Sequence, residues 1–363
     1  MILYVLKKYN SGDVIRRVGI IESFKSVIWN NQWYGQGEMQ IVLPATKENI
    51  QLCEIGNFIC RDKDIPNYYS YMRYNNAMAI QEVIYRENDS EGATIQINGR
   101  LLKSYILGKR VVDEPTLMQG KVDAQLRNVI NKNLATVGNR QITNFGYVSS
   151  NININIDIQT EGESLSELCE KVTRDARIGW YMYARGSGFR LGFKEGTDRT
   201  SNSETPVIFS KRFDNLLSVE FDMNFLDYHN TILVQGEPNG SFNGRVWTQN
   251  QTNEYSDLDR DEMYLDSGAS WEDDSGTHTE TEYKNILKGL GKRDLNAIEP
   301  YSFAAEVIPD GIFKLGQEYD LGDVVEIEME VGITATARIT EIIEAVDEQG
   351  ESTVLTFEEW EVY

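Results

Sequence analysis

Apolar and polar positions alternate in a period of two at both ends of the chain and shift to a helical rhythm in the middle. Met39, Ile41 and Leu43 alternate with Gln40 and Val42, and Ile95 and Ile97 with Thr94, Gln96 and Asn98. That period sends successive side chains to opposite faces, so residues 1–110 read as β with no helical period. The run Glu87-Asn88-Asp89-Ser90-Glu91-Gly92 supplies turn residues between two such strands.

From 117 to 134, Val122, Leu126, Val129, Ile130 and Leu134 recur at helical spacing. A second helix is predicted from Ser164. Glu167 completes a capping box there, and Leu165, Leu168, Cys169, Val172 and Ala176 share one face. Between the two helices, residues 151–156 alternate Asn and Ile strictly enough to predict a strand. Residues 178–194 carry Trp180, Tyr181, Tyr183, Phe189 and Phe193 around Gly186-Ser187-Gly188, a predicted hairpin. The β pattern returns in 216–236. Residues 238–277 are polar and acidic, which reads as a long loop or a loosely folded arm. A third helix is predicted from Thr279, capped with Glu282, with Tyr283, Ile286, Leu287 and Leu290 on one face and Gly291 as its stop. Nearer the C-terminus, Val325, Ile327, Met329 and Val331 face one way and Glu326, Glu328 and Glu330 the other. A last hairpin turns at Asp347-Glu348-Gln349-Gly350.

The order is β, mixed, β, arm with helix, β. Two β-rich parts of similar kind flank a mixed α/β insertion, a pattern that fits paired barrels. With 363 residues the chain is long enough for two or three domains, and 40% apolar residues is an ordinary folded composition. No run approaches the ~18 apolar residues of a bilayer span, so no stable membrane insertion is expected. The short apolar start, Met1 to Leu6, lacks the flanks of a signal peptide. Three cysteines (Cys53, Cys60, Cys169) without a C-x-x-C point to a reduced, cytoplasmic setting for assembly. The net charge, 35 − 57 = −22, repels phosphate; it opposes a sequence-specific grip on nucleic acid while permitting nucleic acid to slide past.

Candidate chemistry is sparse. His229 and His278 are the two histidines; neither adjoins a Ser or Cys nucleophile motif, and no G-x-S-x-G or H-E-x-x-H occurs. With 57 acidic residues, any carboxylate pair chosen for a glycosidase is arbitrary, so no catalytic residue is assigned and no enzyme is expected. Asp257, Asp259 and Asp261 alternate like the start of a calcium loop, but Glu262 stands where that loop needs Gly and Gly268 where it needs Glu. No metal or cofactor is expected. Gly35-Gln36-Gly37 sits among aromatics like a nucleotide loop, yet a strand follows it, and the helix N-terminus that would hold a phosphate is missing. It is expected to be a bend joining two strands, with Trp29, Trp33 and Tyr34 packing a core or a subunit seam.

Several separated stretches, taken in order, resemble one family. They are "SVIWNNQWYGQGEMQIVLPA" (26–45), with Trp33, Gly35, Gly37 and Glu38; "TIQINGRLLKSYILGKRVV" (94–112), with Gly99 and Arg100; and "DYHNTILVQGE" (227–237), with Asn230 and Gly236. "EYKNILKGLGKRDLN" follows, then "YDLGDVVEIE" (319–328), with Leu321, Gly322 and Asp323. "TATARITEIIEAV" and "TVLTFEEW" close the chain. Together they are similar to the siphophage tail-hub proteins, which include the N-terminal structural part of tail-associated lysins and share a fold with contractile-phage baseplate hubs. The resemblance runs nearly end to end. It departs at Met39, where the family usually has Phe, and in the asparagine-rich 131–155 region.

The resemblance implies a mainly β fold with α/β insertions. Two β-barrel-like tube domains (1–110, and 213–237 with 299–363) would be accompanied by a peripheral mixed α/β domain (111–212) and a peripheral acidic arm plus helix (238–298). Three chains would form a ring that adapts a hexameric tail tube to trimeric distal parts and admits DNA during ejection, with Glu326, Glu328 and Glu330 as candidates for the lumen wall. Implied partners are a distal tail protein or tail-tube ring, a tape-measure protein, and tip or receptor-binding proteins. The implied location is the distal end of a virion tail assembled in the host cytoplasm, in phages or prophages of Gram-positive bacteria. Two other readings are a hub joined to a cell-wall hydrolase and a carbohydrate-binding baseplate module. The first lacks an NlpC-type Cys–His pair or zinc motif here, and the second would stack sugars on Trp180, Tyr181 and Tyr183.

Overall fold

A computed structural model describes the chain except residues 10–14, 67–72, 89–91, 136–137, 253, 299, 310, 331, 333 and 363. Residue 331 of the predicted apolar row and residues 89–91 of the predicted turn lie outside the described residues.

The N-terminal part contains β1 (Leu3–Lys8), β2 (Ile15–Ile21), β3 (Ser26–Gln32), β4 (Glu38–Pro44), α1 (Lys47–Leu52), β5 (Phe58–Arg61), β6 (Arg73–Tyr74), β7 (Met78–Asn88), β8 (Gly92–Leu101) and α2 (Leu102–Leu107). Val27 and Trp29 on β3, Met39, Ile41 and Leu43 on β4, and Ile95 and Ile97 on β8 are buried in one core, as the alternation requires. The two helices correct the expectation of none. Each spans six residues, too short to show a repeat, and α2 is buried almost all round.

The middle part runs β9 (Thr116–Lys121), α3 (Val122–Ile130), β10 (Phe145–Tyr147), β11 (Asn155–Thr160), α4 (Leu165–Asp175), β12 (Gly179–Arg185) and β13 (Gly188–Lys194). The capping box at Ser164 and Glu167 forms, and the hairpin turns at Gly186–Gly188. The strand predicted over 151–156 begins only at Asn155, because its partner β9 ends at Lys121, where α3 starts.

The remainder contains β14 (Ile208–Ser210), β15 (Leu216–Met223), β16 (Thr231–Gln235), β17 (Arg245–Gln249), β18 (Glu262–Asp266), β19 (Glu272–Asp273), β20 (Gly276–Thr277), α5 (Glu280–Asn296), β21 (Tyr301–Val307), β22 (Val324–Glu328), β23 (Thr334–Asp347) and β24 (Gly350–Val362). The polar stretch 238–277 is therefore not one long loop. β17 and β18 flank β16 in a three-stranded sheet covered by α5. A sheet buried on one face needs few apolar residues, so its strands read as polar. α5 does not stop at Gly291. That glycine lies against the sheet, where an added Cβ would meet Val234 at 2.6 Å, and the helix continues to Asn296.

Most of the β structure belongs to a single thirteen-stranded sheet. Its main path is β15-β21-β24-β23-β3-β4-β8-β7-β5-β1-β2, with β22 and β14 branching from β23. No barrel closes among the described residues. Where two separate barrels were expected, β23 pairs antiparallel with β3, from Glu341 opposite Gln32 to Val346 opposite Val27, and joins the first and last β parts. Glu344 falls opposite Trp29 on the buried side of that seam. Arg61 from β5 stacks on the Trp29 ring (4.8 Å) and pairs with Glu344 (2.5 Å) and Asp64 (2.6 Å); Lys63 also pairs with Glu344. Burial alone opposes ionisation of Glu344, but Arg61 and Lys63 outweigh it and hold the carboxyl below the usual range.

Candidate functional site

The bend Trp33–Gly37 between β3 and β4 is the point where the three parts of the chain meet. The Trp33 indole is buried (1% exposed) between two backbones that carry no Cβ. An alanine methyl would lie 2.5 Å from the ring at Gly179 and 2.2 Å at Gly322. Gly322 has φ +95°, a conformation that side chains disfavour, so glycine is required there twice over. Lys194 sits over the same ring at 5.0 Å and donates to the Leu321 carbonyl (3.5 Å). The Trp33 amide donates to Thr340 O on β23 (2.8 Å). Asp323 is buried and accepts from the amides of Thr197 (3.1 Å) and Asp320 (3.0 Å) and from Arg199 (3.4 Å). Trp33 and Leu321-Gly322-Asp323, nearly three hundred positions apart, thus belong to one joint.

Lys103 sits at the centre of this joint. Its ammonium is buried and donates to three carbonyls, those of Gln32 (2.6 Å), Trp33 (3.3 Å) and Trp180 (3.2 Å). Burial pushes its pKa down to about 7. Trp180 Nε1 donates to Tyr34 O (2.5 Å), and Ser104 Oγ to Gln36 O (2.9 Å). A bend that looked like a ligand loop has its carbonyls occupied by the protein's own donors.

The glycine motif and the Gly99-Arg100 motif lie directly opposite each other, Glu38 against Arg100 and Met39 against Gly99. Arg100 donates to Gln36 (2.7 Å) and stands 4.0 Å from Glu38. A Cβ at Gly99 would meet Ala79 O at 2.2 Å, and one at Gly37 (φ +61°) would meet Leu101 at 2.4 Å; at Gly35 it would meet Gln32 Oε1 at 2.0 Å. Asn230 and Gly236 do other work, at the two ends of β16. Asn230 is buried, donates to Asp259 O (2.7 Å) and accepts from the Asp261 amide (3.0 Å), which pins the arm. Gly236 lets the Tyr283 hydroxyl of α5 approach, 2.4 Å from where a Cβ would stand.

The acidic row is partly answered by its neighbours. Glu326 accepts from the Ser201 amide (2.8 Å), Glu328 pairs with Arg212 (3.0 Å) and Glu330 with Lys211 (3.5 Å). The outer face of the long sheet around β3, β4, β7, β8 and β23 is amide-rich instead. Asn98 donates to Glu82 (2.5 Å), Gln96 to Asn98 (3.1 Å), and Asn30 and Gln32 to Glu341 (2.7 and 2.8 Å). The face carries a shallow hollow of about 630 Å³ lined in part by Asn30, Gln40, Glu82, Asn98 and Arg100.

Neither histidine is arranged as a general base toward a nucleophile. His229 Nδ1 lies 2.7 Å from Asp261. His278 Nε2 lies 2.7 Å from one oxygen of Asp273, while Ser275 donates to the other (2.6 Å) and so points away from the imidazole. Trp180 is buried and unavailable for stacking a sugar. Among the described residues no helix is long and apolar enough to cross a membrane.

Residues 11–357 match the family described as Siphovirus ReqiPepy6 Gp37-like protein. The chain belongs to this family. Solved structures with the same fold include a tail protein from Neisseria meningitidis (12% identity, TM-score 0.56, 98% of this chain and 96% of that one). A 43 kDa tail protein of prophage MuSo2 from Shewanella oneidensis matches at 12% identity and TM-score 0.53 over 98% of both chains. The prophage tail protein gp18 from Listeria monocytogenes matches at 12% and 0.51 over 98% and 94%. No curated protein sequence matches. The family's phage-tail character agrees with the resemblance read from the separated motifs.

Sequence reasoning missed Lys103, Gly179 and the Arg61–Glu344 pair. Lys103 had a signal, a lone cation inside the apolar run "LLKSYIL". A lysine in such a run is either snorkelling or bound by carbonyls.

Proposed function

We propose that this tail-family protein is a structural hub: three copies form a ring at the distal end of a virion tail, closing the tube and letting DNA pass on ejection. The observation that carries this reading is the single sheet that unites the first and last β parts and presents one amide-rich face with a shallow hollow. Around the hollow the charged side chains are mixed, with Glu38 and Glu82 beside Arg100. Such a surface offers DNA hydrogen-bonding groups without the cationic stripe that would hold its phosphates. In this reading the two barrel-like tube domains (1–110, and 213–237 with 299–363) lie side by side, and three chains place six of them around one ring. The mixed domain (111–212) and the arm with its helix (238–298) lie outside it, and Glu326, Glu328 and Glu330 contribute to the wall. The signature residues at the Trp33 joint hold the two domains of one chain together, and no catalytic role is assigned. Partners are a distal tail protein or tube ring, a tape-measure protein and tip or receptor-binding proteins, with assembly in the host cytoplasm. The test is gold labelling of a tagged chain on purified particles. Label confined to the tail tip is expected, and label on the capsid or absence from particles overturns the reading.

A further inference from the structure

The thirteen-stranded sheet ends in β2 on one side and β15 on the other. Ile15 N donates to Gly186 O (3.3 Å) at the start of β2; beyond that, among the described residues, no backbone hydrogen bond reaches the outer edge of either strand. Open edges invite another strand, and proteins usually blunt them with charged side chains, lysine above all, or with proline, so that a partner must answer the edge's charge. The β15 sequence, LLSVEFDM, has neither lysine nor proline, and its exposed charges are both acidic. The edges also differ in charge. β2 exposes Arg16 and Arg17, which lie over the rings of Tyr9 and Tyr4 (5.7 and 5.1 Å) and, among the described residues, pair with no carboxylate. β15 exposes Glu220 and Asp222. In a chain of net charge −22, an arginine pair on an open edge stands apart from its surroundings. Both edges add apolar area, with Val18 and Ile20 on β2 and Leu217 and Met223 (63% exposed) on β15. The two strands match in length at seven and eight residues.

We propose that β2 of one copy adds to β15 of the next, head to tail, so that the sheet continues across the subunit boundary. Set antiparallel with Ile15 opposite Met223, the pairing brings Arg16 opposite Asp222, whereas antiparallel β2 with β2 puts Arg16 opposite Ile20 and β15 with β15 puts Asp222 opposite Leu217, so neither self-pairing gains an opposite-charge pair. The complementary pairing is heterologous, the kind of contact that closes a ring or grows a filament. The inference rests on the oligomeric tail reading above and names the surfaces that would build it.

Sedimentation velocity on the full chain tests it with Arg16→Glu/Arg17→Glu, Glu220→Arg/Asp222→Arg, and the four changes together. Circular dichroism checks that each variant is folded. Each double variant is expected to weaken association at least about tenfold, and the fourfold variant to restore it, since both edges are then reversed but still complementary. If the wild type associates and neither double variant weakens it, or the fourfold variant stays dissociated, this pairing is wrong while the tail reading stands. A wild type that remains monomeric at every concentration overturns the ring and this pairing together.

Discussion

Replacing Gly322 with alanine drives a methyl group into the buried Trp33 ring. The added Cβ would stand 2.2 Å from the indole, and the ring cannot retreat because Gly179 closes its other side at 2.5 Å. Two costs combine: about 1–2 kcal/mol for a side chain at φ +95°, and about 1–3 kcal/mol for overpacking. Gly316 isolates the first cost, because it has a similar φ (+79°) and nothing within 4 Å of its added Cβ. Gly322→Ala is therefore expected to destabilise by about 1–3 kcal/mol more than Gly316→Ala in urea unfolding followed by far-UV circular dichroism. A double-mutant cycle sharpens the assignment: in a Trp33→Leu background the excess cost of Gly322→Ala should shrink toward that of Gly316→Ala. Equal costs for the two glycines, or no coupling to Trp33, would refute the claim that the bend and Leu321-Gly322-Asp323 form one joint.

The other predictions concern buried charges and the arm. Lys103→Met leaves three carbonyls without their donor and should cost about 2–4 kcal/mol, less whatever is regained by not burying an amine. Because Lys103 titrates near 7 when folded and at 10.5 when unfolded, the unfolded chain binds the extra proton between those values. Wild-type stability should accordingly gain up to about 1.4 kcal/mol per pH unit from this group as pH rises from 7 toward 8.5, a slope that Lys103→Met lacks in urea midpoints taken at each pH. Glu344 has a dependence of the same sign in a more acidic window. Its folded pKa lies below 4.5, so its stabilisation is present above that pH and is lost as the medium becomes more acid. Glu344→Gln should cost about 3–5 kcal/mol at neutral pH and flatten the acid limb of the stability curve. Asn230→Ala removes the pin on Asp259 and Asp261, and should raise amide exchange in 257–262 while leaving exchange in β3 and β4 unchanged.

Legibility from sequence followed the locality of the signal. The capping boxes at Ser164 and Thr279, the 178–194 hairpin and the final hairpin depend on neighbours in the chain, and all four formed where expected. The β17–β16–β18 sheet was missed because α5 covers one face, which leaves Trp247 and Tyr264 exposed and the segment polar overall. Gly291 was read as a helix stop because a glycine that ends a helix and one that lets a helix approach a sheet look alike in sequence. The union of the two β parts was invisible for a deeper reason. The β3–β23 register is decided by Glu344 meeting Arg61 over Trp29, a contact among residues 29, 61 and 344 that no local pattern encodes. The signature motifs were legible as motifs, but the meeting of Trp33 with Leu321-Gly322-Asp323 was not.

The central claim is a ring of three copies, and the mass of the assembled protein in solution tests it most directly. Light scattering coupled to size exclusion, or native mass spectrometry, is expected to give three times the 41.5 kDa chain, or a multiple of three. A stable 41.5 kDa monomer at high concentration, with circular dichroism showing the folded β structure, would contradict it.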